Sequence, residues 1–159
     1  MGGMTASASQ VALREIDGGN FEACASINVA REQSRFTNAP HWSMLQQFYA
    51  PHRAGSRQLA IYIGDEVAGM VCLGFGNEFS PDWFMLEEIV IDVRFQRRGV
   101  AFDALSLALE MFRADGRFGV VRAFTDSENT AAIKLCEKLW FTLTDDAENL
   151  GRVNGEYIL

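Results

Sequence analysis

The alternation of apolar and polar positions divides this chain into short strands and amphipathic helices. Val11 to Ile16 reads as a short strand, and Asp17-Gly18-Gly19-Asn20 as a turn that ends in a helix N-cap. Phe21, Cys24 and Ile27 then line one helical face. A second helix is predicted from Pro40, which favours a first helical turn. His41, Met44, Leu45 and Phe48 recur there at i, i+3, i+4 and i+7 as its apolar stripe. Gln58 to Ile63 and Glu66 to Gly74 read as the strands of a hairpin joined at Gly64-Asp65. Trp83 to Asp92 is an apolar run interrupted by Glu87-Glu88, and its β-branched end, Ile89-Val90-Ile91, favours a buried strand.

A helix is predicted from about Val100 to Asp115, with Leu105, Ala108, Leu109 and Phe112 as its core stripe and Gly116 as its stop. Val120 to Thr125 reads as a strand. Asn129 to about Trp140 reads as a helix with Ala132, Leu135, Cys136 and Leu139 inward. Short strands close the chain, with Asn154-Gly155 as the hairpin turn between Val153 and Glu156. Strands and helices mixed in this order imply an α/β or α+β domain around one sheet.

Composition narrows the class. A length of 159 residues, 48% hydrophobic, fits one domain over residues 10–159, with residues 1–9 expected to be a disordered leader. The net charge of −7 disfavours nonspecific nucleic-acid binding and suits solubility or a cationic small substrate. No apolar run approaches the ~18 residues that a membrane helix needs. Met1-Gly2-Gly3-Met4-Thr5-Ala6 lacks the apolar stretch of a signal peptide, and Ala6 stands where a myristoylation signal wants Ser or Thr. Cys24, Cys72 and Cys136, odd in number and widely spaced, imply reduced thiols in a cytoplasm and no metal site.

The chemistry concentrates in Ile91-Asp92-Val93-Arg94-Phe95-Gln96-Arg97-Arg98-Gly99-Val100-Ala101, where a strand enters an arginine-rich loop and then a helix. A helix N-terminus presents unpaired N–H groups and partial positive charge, which suits a pyrophosphate. Gly99 lets the backbone approach a ligand closely, and Ala101 adds only a methyl group. A glycine at a helix start is also a routine turn, and Arg94, Arg97 and Arg98 also read as a solvated face.

Gln96-Arg97-Arg98-Gly99-Val100-Ala101 resembles the acetyl-CoA motif of the GNAT superfamily of N-acetyltransferases, Arg/Gln-x-x-Gly-x-Gly/Ala. Asn129-Thr130-Ala131-Ala132-Ile133-Lys134-Leu135-Cys136-Glu137-Lys138-Leu139-Trp140-Phe141 resembles its second signature, Asn-x-x-Ala-x-x-Leu-Tyr-x-x-Leu-Gly-Phe. The resemblance spans roughly residues 10–159 and implies a GNAT fold, a central mixed sheet flanked by helices and splayed open where the cofactor enters. It implies acetyl-CoA as co-substrate, held by Ile89 and Ile91 on a strand edge, by Gln96, Arg97, Arg98, Gly99, Val100 and Ala101, and by Asn129. A cytoplasmic homodimer is the family expectation.

Leu86-Glu87-Glu88-Ile89-Val90-Ile91 resembles a strand of the polyamine and diamine acetyltransferases, and Arg31 to Phe36 and Val153 to Glu156 resemble their bacterial members more loosely. The resemblance makes Glu87 the candidate base, because an amine must lose a proton before it attacks a thioester. Successive strand side chains face opposite ways, so Glu88 is expected to point outward or to grip a second substrate amine, with Glu32 a further substrate contact. Cys136 stands where the family places a tyrosine acid, and reads either as a proton donor or as a small buried hydrophobe. Trp140 replaces the usual glycine of the helix stop. The expected activity is acetyl transfer to a primary amine, a polyamine or diamine. The alternatives are a protein N-terminus, an amino acid or a drug amine, or a non-catalytic acyl-CoA-binding module.

Overall fold

A computed structural model of the chain describes residues 10–146 and 150–159. The expected leader, residues 1–9, lies outside the described residues. Strands β1 (Val11–Glu15), β2 (Ser56–Ile63), β3 (Glu66–Gly74), β4 (Phe84–Ile91), β5 (Val120–Asp126), β6 (Thr142–Asp145) and β7 (Arg152–Ile158) form one sheet ordered β1-β2-β3-β4-β5-β7-β6. The helices are α1 (Phe21–Ala25), α2 (Pro40–Tyr49), α3 (Val100–Asp115) and α4 (Thr130–Lys138).

Period-two alternation sends Leu59, Ile61, Val71 and Leu73 to one face of the sheet, where they pack with Leu105, Ala108, Leu109 and Phe112 of α3. Phe84 stacks on Phe112 there, ring centres 4.6 Å apart. The residues between them, Ala60, Tyr62 and Met70, turn to the other face and pack with Cys24 and Ile27. Every strand pair is antiparallel except β4–β5, which is parallel. β4 and β5 pair only from Phe84–Val121 to Leu86–Ala123. Beyond Leu86 the two strands part, and the β4 backbone from Glu87 to Ile91 has no β5 partner.

Three sequence expectations change. The apolar stripe on α2 faces the core only in part: Met44 packs on the Cys24 cluster, but Phe48 is 81% exposed and Leu45 48%, while Pro40 and Ser43 are the buried residues. The inward face is polar because it meets carboxylates on β4, described below. Asn154-Gly155 is not a hairpin turn but the middle of β7. There Gly155 gives room to Leu143 and Phe141, which lie 3.2 and 3.3 Å from the place a Cβ would take. The turn between β6 and β7 comes earlier in the chain, with Gly151 at φ 85°.

Trp140 shows how the helix stop works without glycine. Its φ is 67°, and the Trp140 N–H donates to Glu137 and the Phe141 N–H to Cys136, the bond pair of a Schellman cap. The indole is 86% exposed, so no packing offsets the left-handed backbone. Trp140→Gly is therefore expected to stabilise the protein by about 1 kcal/mol in urea unfolding. An unchanged midpoint would show that the cap carries no strain.

Candidate active site

The parting of β4 from β5 opens two cavities. The larger, about 570 Å³, is lined by Ile89 and Ile91 of β4, by Gln96, Arg97, Gly99, Val100 and Ala101 at the start of α3, and by Asn129 at the start of α4. Glu32 is also on its wall, on the exposed surface of the α1–α2 connection. Arg98 is on neither cavity wall, and its guanidinium lies 5.7 Å from the centre of the Phe95 ring.

The loop into α3 is held from outside. The Asp92 carboxylate accepts from the backbone N–H of Arg94 at 3.0 Å, from Arg94 Nε at 2.9 Å and from the Asn28 N–H at 3.2 Å. Burial works to raise the Asp92 pKa, but these bonds outweigh it and hold the carboxyl below its usual range. Gln96 Nε2 donates to the Ile91 carbonyl at 2.9 Å and to Gln33 Oε1 at 2.8 Å, so its side chain braces the loop against β4. Arg97 and Gly99 both have positive φ, 61° and 77°. Left-handed residues within such a turn gather backbone N–H groups into an anion-binding concavity, here at a helix N-terminus.

Among the described residues, no atom beyond the chain neighbours of Gly99 lies within 4 Å of where a Cβ there would sit. The space belongs to the cleft, and a β-branched residue is an outlier at this φ. Gly99→Val is expected to weaken acetyl-CoA binding by on the order of 10-fold with the fold intact, since the free loop relaxes out of the left-handed conformation and binding must restore it at about 1–3 kcal/mol. Calorimetry giving unchanged affinity would remove the loop from the site. At α4, Asn129 Oδ1 caps the helix by accepting from the Ala132 N–H at 3.2 Å. Cys136 lines neither cavity. It is buried in the α3-side core, and burial pushes its thiol up to about 11.

The smaller cavity, about 210 Å³, has Leu86 and Glu87 on its wall together with His52, Arg53 and Arg152. Glu87 lies at a β-bulge: Cys72 opposes Glu88 and Leu73 opposes Leu86, leaving Glu87 as the extra residue. Leu86 and Ile89 both pack on the α3 side, so the two acids between them fall together on the other face. This corrects the expectation that they point opposite ways. Arg53 bridges them, with Nη1 at 2.6 Å from Glu87 and Nη2 at 3.2 Å from Glu88.

Glu88 does not point outward. It accepts from Thr37 Oγ1 at 3.0 Å, the Asn38 N–H at 3.2 Å, Ser43 Oγ and Arg53. These donors fill the roughly four lone-pair sites of a carboxylate. Glu87 accepts from Arg53, from Ser56 Oγ at 2.6 Å and from the Cys72 thiol at 3.1 Å. About one acceptor site of Glu87 remains. Burial, and then the neighbouring Glu87 charge, raise the Cys72 pKa and keep it a thiol. Gly74 leaves the space that Glu87 needs, since a Cβ there would sit 2.7 Å from Oε1. None of Arg53, Ser43, Ser56 and Cys72 was visible as a site residue in the sequence, because they belong to ordinary-looking helix, turn and strand segments.

Residues 21–141 match the family model described as the acetyltransferase (GNAT) family. No curated protein matches the sequence. Among solved structures, the chain is similar to a domain from Methanocaldococcus jannaschii (17% identity, TM-score 0.74, covering 94% of this chain and 98% of that one). It is also similar to a ribosomal L7/L12 alpha-N-protein acetyltransferase in complex with coenzyme A (18% identity, TM-score 0.72, 96% of each chain). A third is the spermidine N-acetyltransferase from Vibrio cholerae in complex with CoA and spermine (16% identity, TM-score 0.71, 94% and 96%). At these identities the likeness is one of fold.

Proposed function

Since the chain belongs to the acetyltransferase (GNAT) family, with acetyl-CoA as its co-substrate, we propose that it acetylates a small primary amine by direct attack within a ternary complex. The residues of the larger cleft fit the co-substrate: an unpaired strand edge for a chain of amides, and a nest of N–H groups at a helix start for phosphates. Ile89 and Ile91 would hold it along β4, and Arg97, Gly99, Val100, Ala101 and Asn129 at the helix ends. Bound there, it supplies an activated acyl thioester.

The observation that carries the acceptor side is the one acceptor site left on Glu87, in the wall of the smaller cavity. Glu87 takes the proton of the incoming amine, directly or through a water. Arg53, Ser56 and Cys72 fix its carboxylate in place. Cys136 is assigned packing rather than proton donation, because it is on no cavity wall.

The expectation of a polyamine or diamine acceptor rests on the acidic charge balance, on Glu87 and on the resemblance of the Leu86 to Ile91 strand. Glu88 is already saturated, and Glu87 shares its charge with Arg53. This geometry supports a single-amine acceptor over a polyamine, even though the Vibrio cholerae relative carries spermine. Free-thiol release across a panel of polyamines, simple amines, amino acids and N-terminal peptides tests the proposal. Binding of acetyl-CoA with no thiol release on any acceptor would overturn it.

A further inference from the structure

On the wall of the smaller cavity the Arg53 and Arg152 guanidinium groups and the His52 imidazole stand against a single carboxylate, Glu87. Glu87 is ion-paired with Arg53, and no ion pair joins Arg152 or His52 to another of the described residues. Arg53 Nε, buried, makes no hydrogen bond among the described residues. The rest of the wall is mostly apolar, with Phe79, Met85, Leu86 and Phe124 beside Asn77 and Ser80. The Arg152 guanidinium lies over Phe124, 5.5 Å from the ring centre, and both residues are on the cavity wall.

The loop that presents His52 is held by Asn77. Its Nδ2 donates to the carbonyls of His52 and Ala54, each at 2.9 Å, and its Oδ1 accepts from the Phe79 N–H at 2.8 Å. A second ammonium group in this cavity would meet two guanidinium groups, an imidazole and no second carboxylate. A carboxylate would meet a planar guanidinium suited to bidentate pairing. The volume, about 210 Å³, is below the ~300 Å³ at which drug-sized pockets begin.

We propose that the acceptor is a small amino acid, its amine directed to Glu87 and its carboxylate to Arg152 and His52. This rests on the acetyl-transfer reading above and names its substrate class. The step balances: the N–C bond forms as the C–S bond breaks. Of the two protons an ammonium loses, one passes through Glu87 to solvent and one goes to the departing thiolate.

The test measures kcat/KM by thiol release for matched pairs, each an amino acid and the amine that remains when its carboxylate is removed. The carboxylate member is expected to be favoured by on the order of 10-fold or more. In Arg152→Gln that ratio should fall towards one through a raised KM for the amino acid, and Arg152→Lys should keep part of it. Amines without a carboxylate, spermidine included, reacting as well as the amino acids would overturn the proposal, as would a ratio unchanged in Arg152→Gln. Acetyl-CoA binding with no turnover of either member, or of any polyamine or N-terminal peptide, would instead overturn the acetyl-transfer reading, and the acceptor class with it.

Discussion

Arg53→Met is expected to destabilise the protein by about 3–5 kcal/mol, because it leaves two buried carboxylates without their shared cation. Arg53 and both partners are nearly sealed from water, with side-chain exposures of 7% for the arginine and 10% for each glutamate. Burial and the nearby Cys72, Glu87 and Glu88 act on the guanidinium in opposite senses, and the balance raises its pKa further, so it stays charged throughout. In the variant two desolvated carboxylates face each other with no cation between them, and their hydrogen bonds to Arg53 are lost. Urea unfolding of the variant beside the parent reads this out. A deficit under ~1 kcal/mol would show that the carboxylates do not depend on Arg53.

What the sequence revealed and what it hid divide along one line: whether the relevant contact is local in the chain. The α3 stripe, Gly99 and Gly116 were legible because periodicity and positive φ are local properties, and the two cofactor segments carry their signal within a few residues each. The α2 stripe misled because hydrophobicity alone chose the face. Tertiary packing instead turned Ser43 and Gln47 inward, where Ser43 Oγ meets Glu88 and Gln47 Nε2 meets the Ser56 carbonyl. Asn154-Gly155 carries a turn signal, but the small side at Gly155 answers a packing need set by Phe141 and Leu143. The bulge at Glu87 has no sequence mark at all. It arises from register between β3 and β4, and it alone decides that both acids share a face with Arg53.

That register gives Glu87 its expected kinetic signature. Glu87→Gln preserves the shape of the side chain, and it still accepts from Ser56 or Arg53, but it takes no proton. kcat/KM is expected to fall by on the order of 10²-fold or more, the usual contribution of a positioned general base. The loss should be largest at neutral pH and below, where nearly all of the acceptor is an ammonium that has to give up a proton in the site. It should shrink as pH rises and free amine arrives already deprotonated. Because Arg53 keeps Glu88 as a partner, the variant should remain folded, and acetyl-CoA affinity should hold because Glu87 is on the other cavity's wall. The pH profile separates the two roles open to this carboxylate. A base gives a pH-dependent deficit in kcat/KM that closes at alkaline pH. A group that only anchors Arg53 gives a loss of stability and a deficit of equal size at every pH, and that result would remove Glu87 from proton transfer.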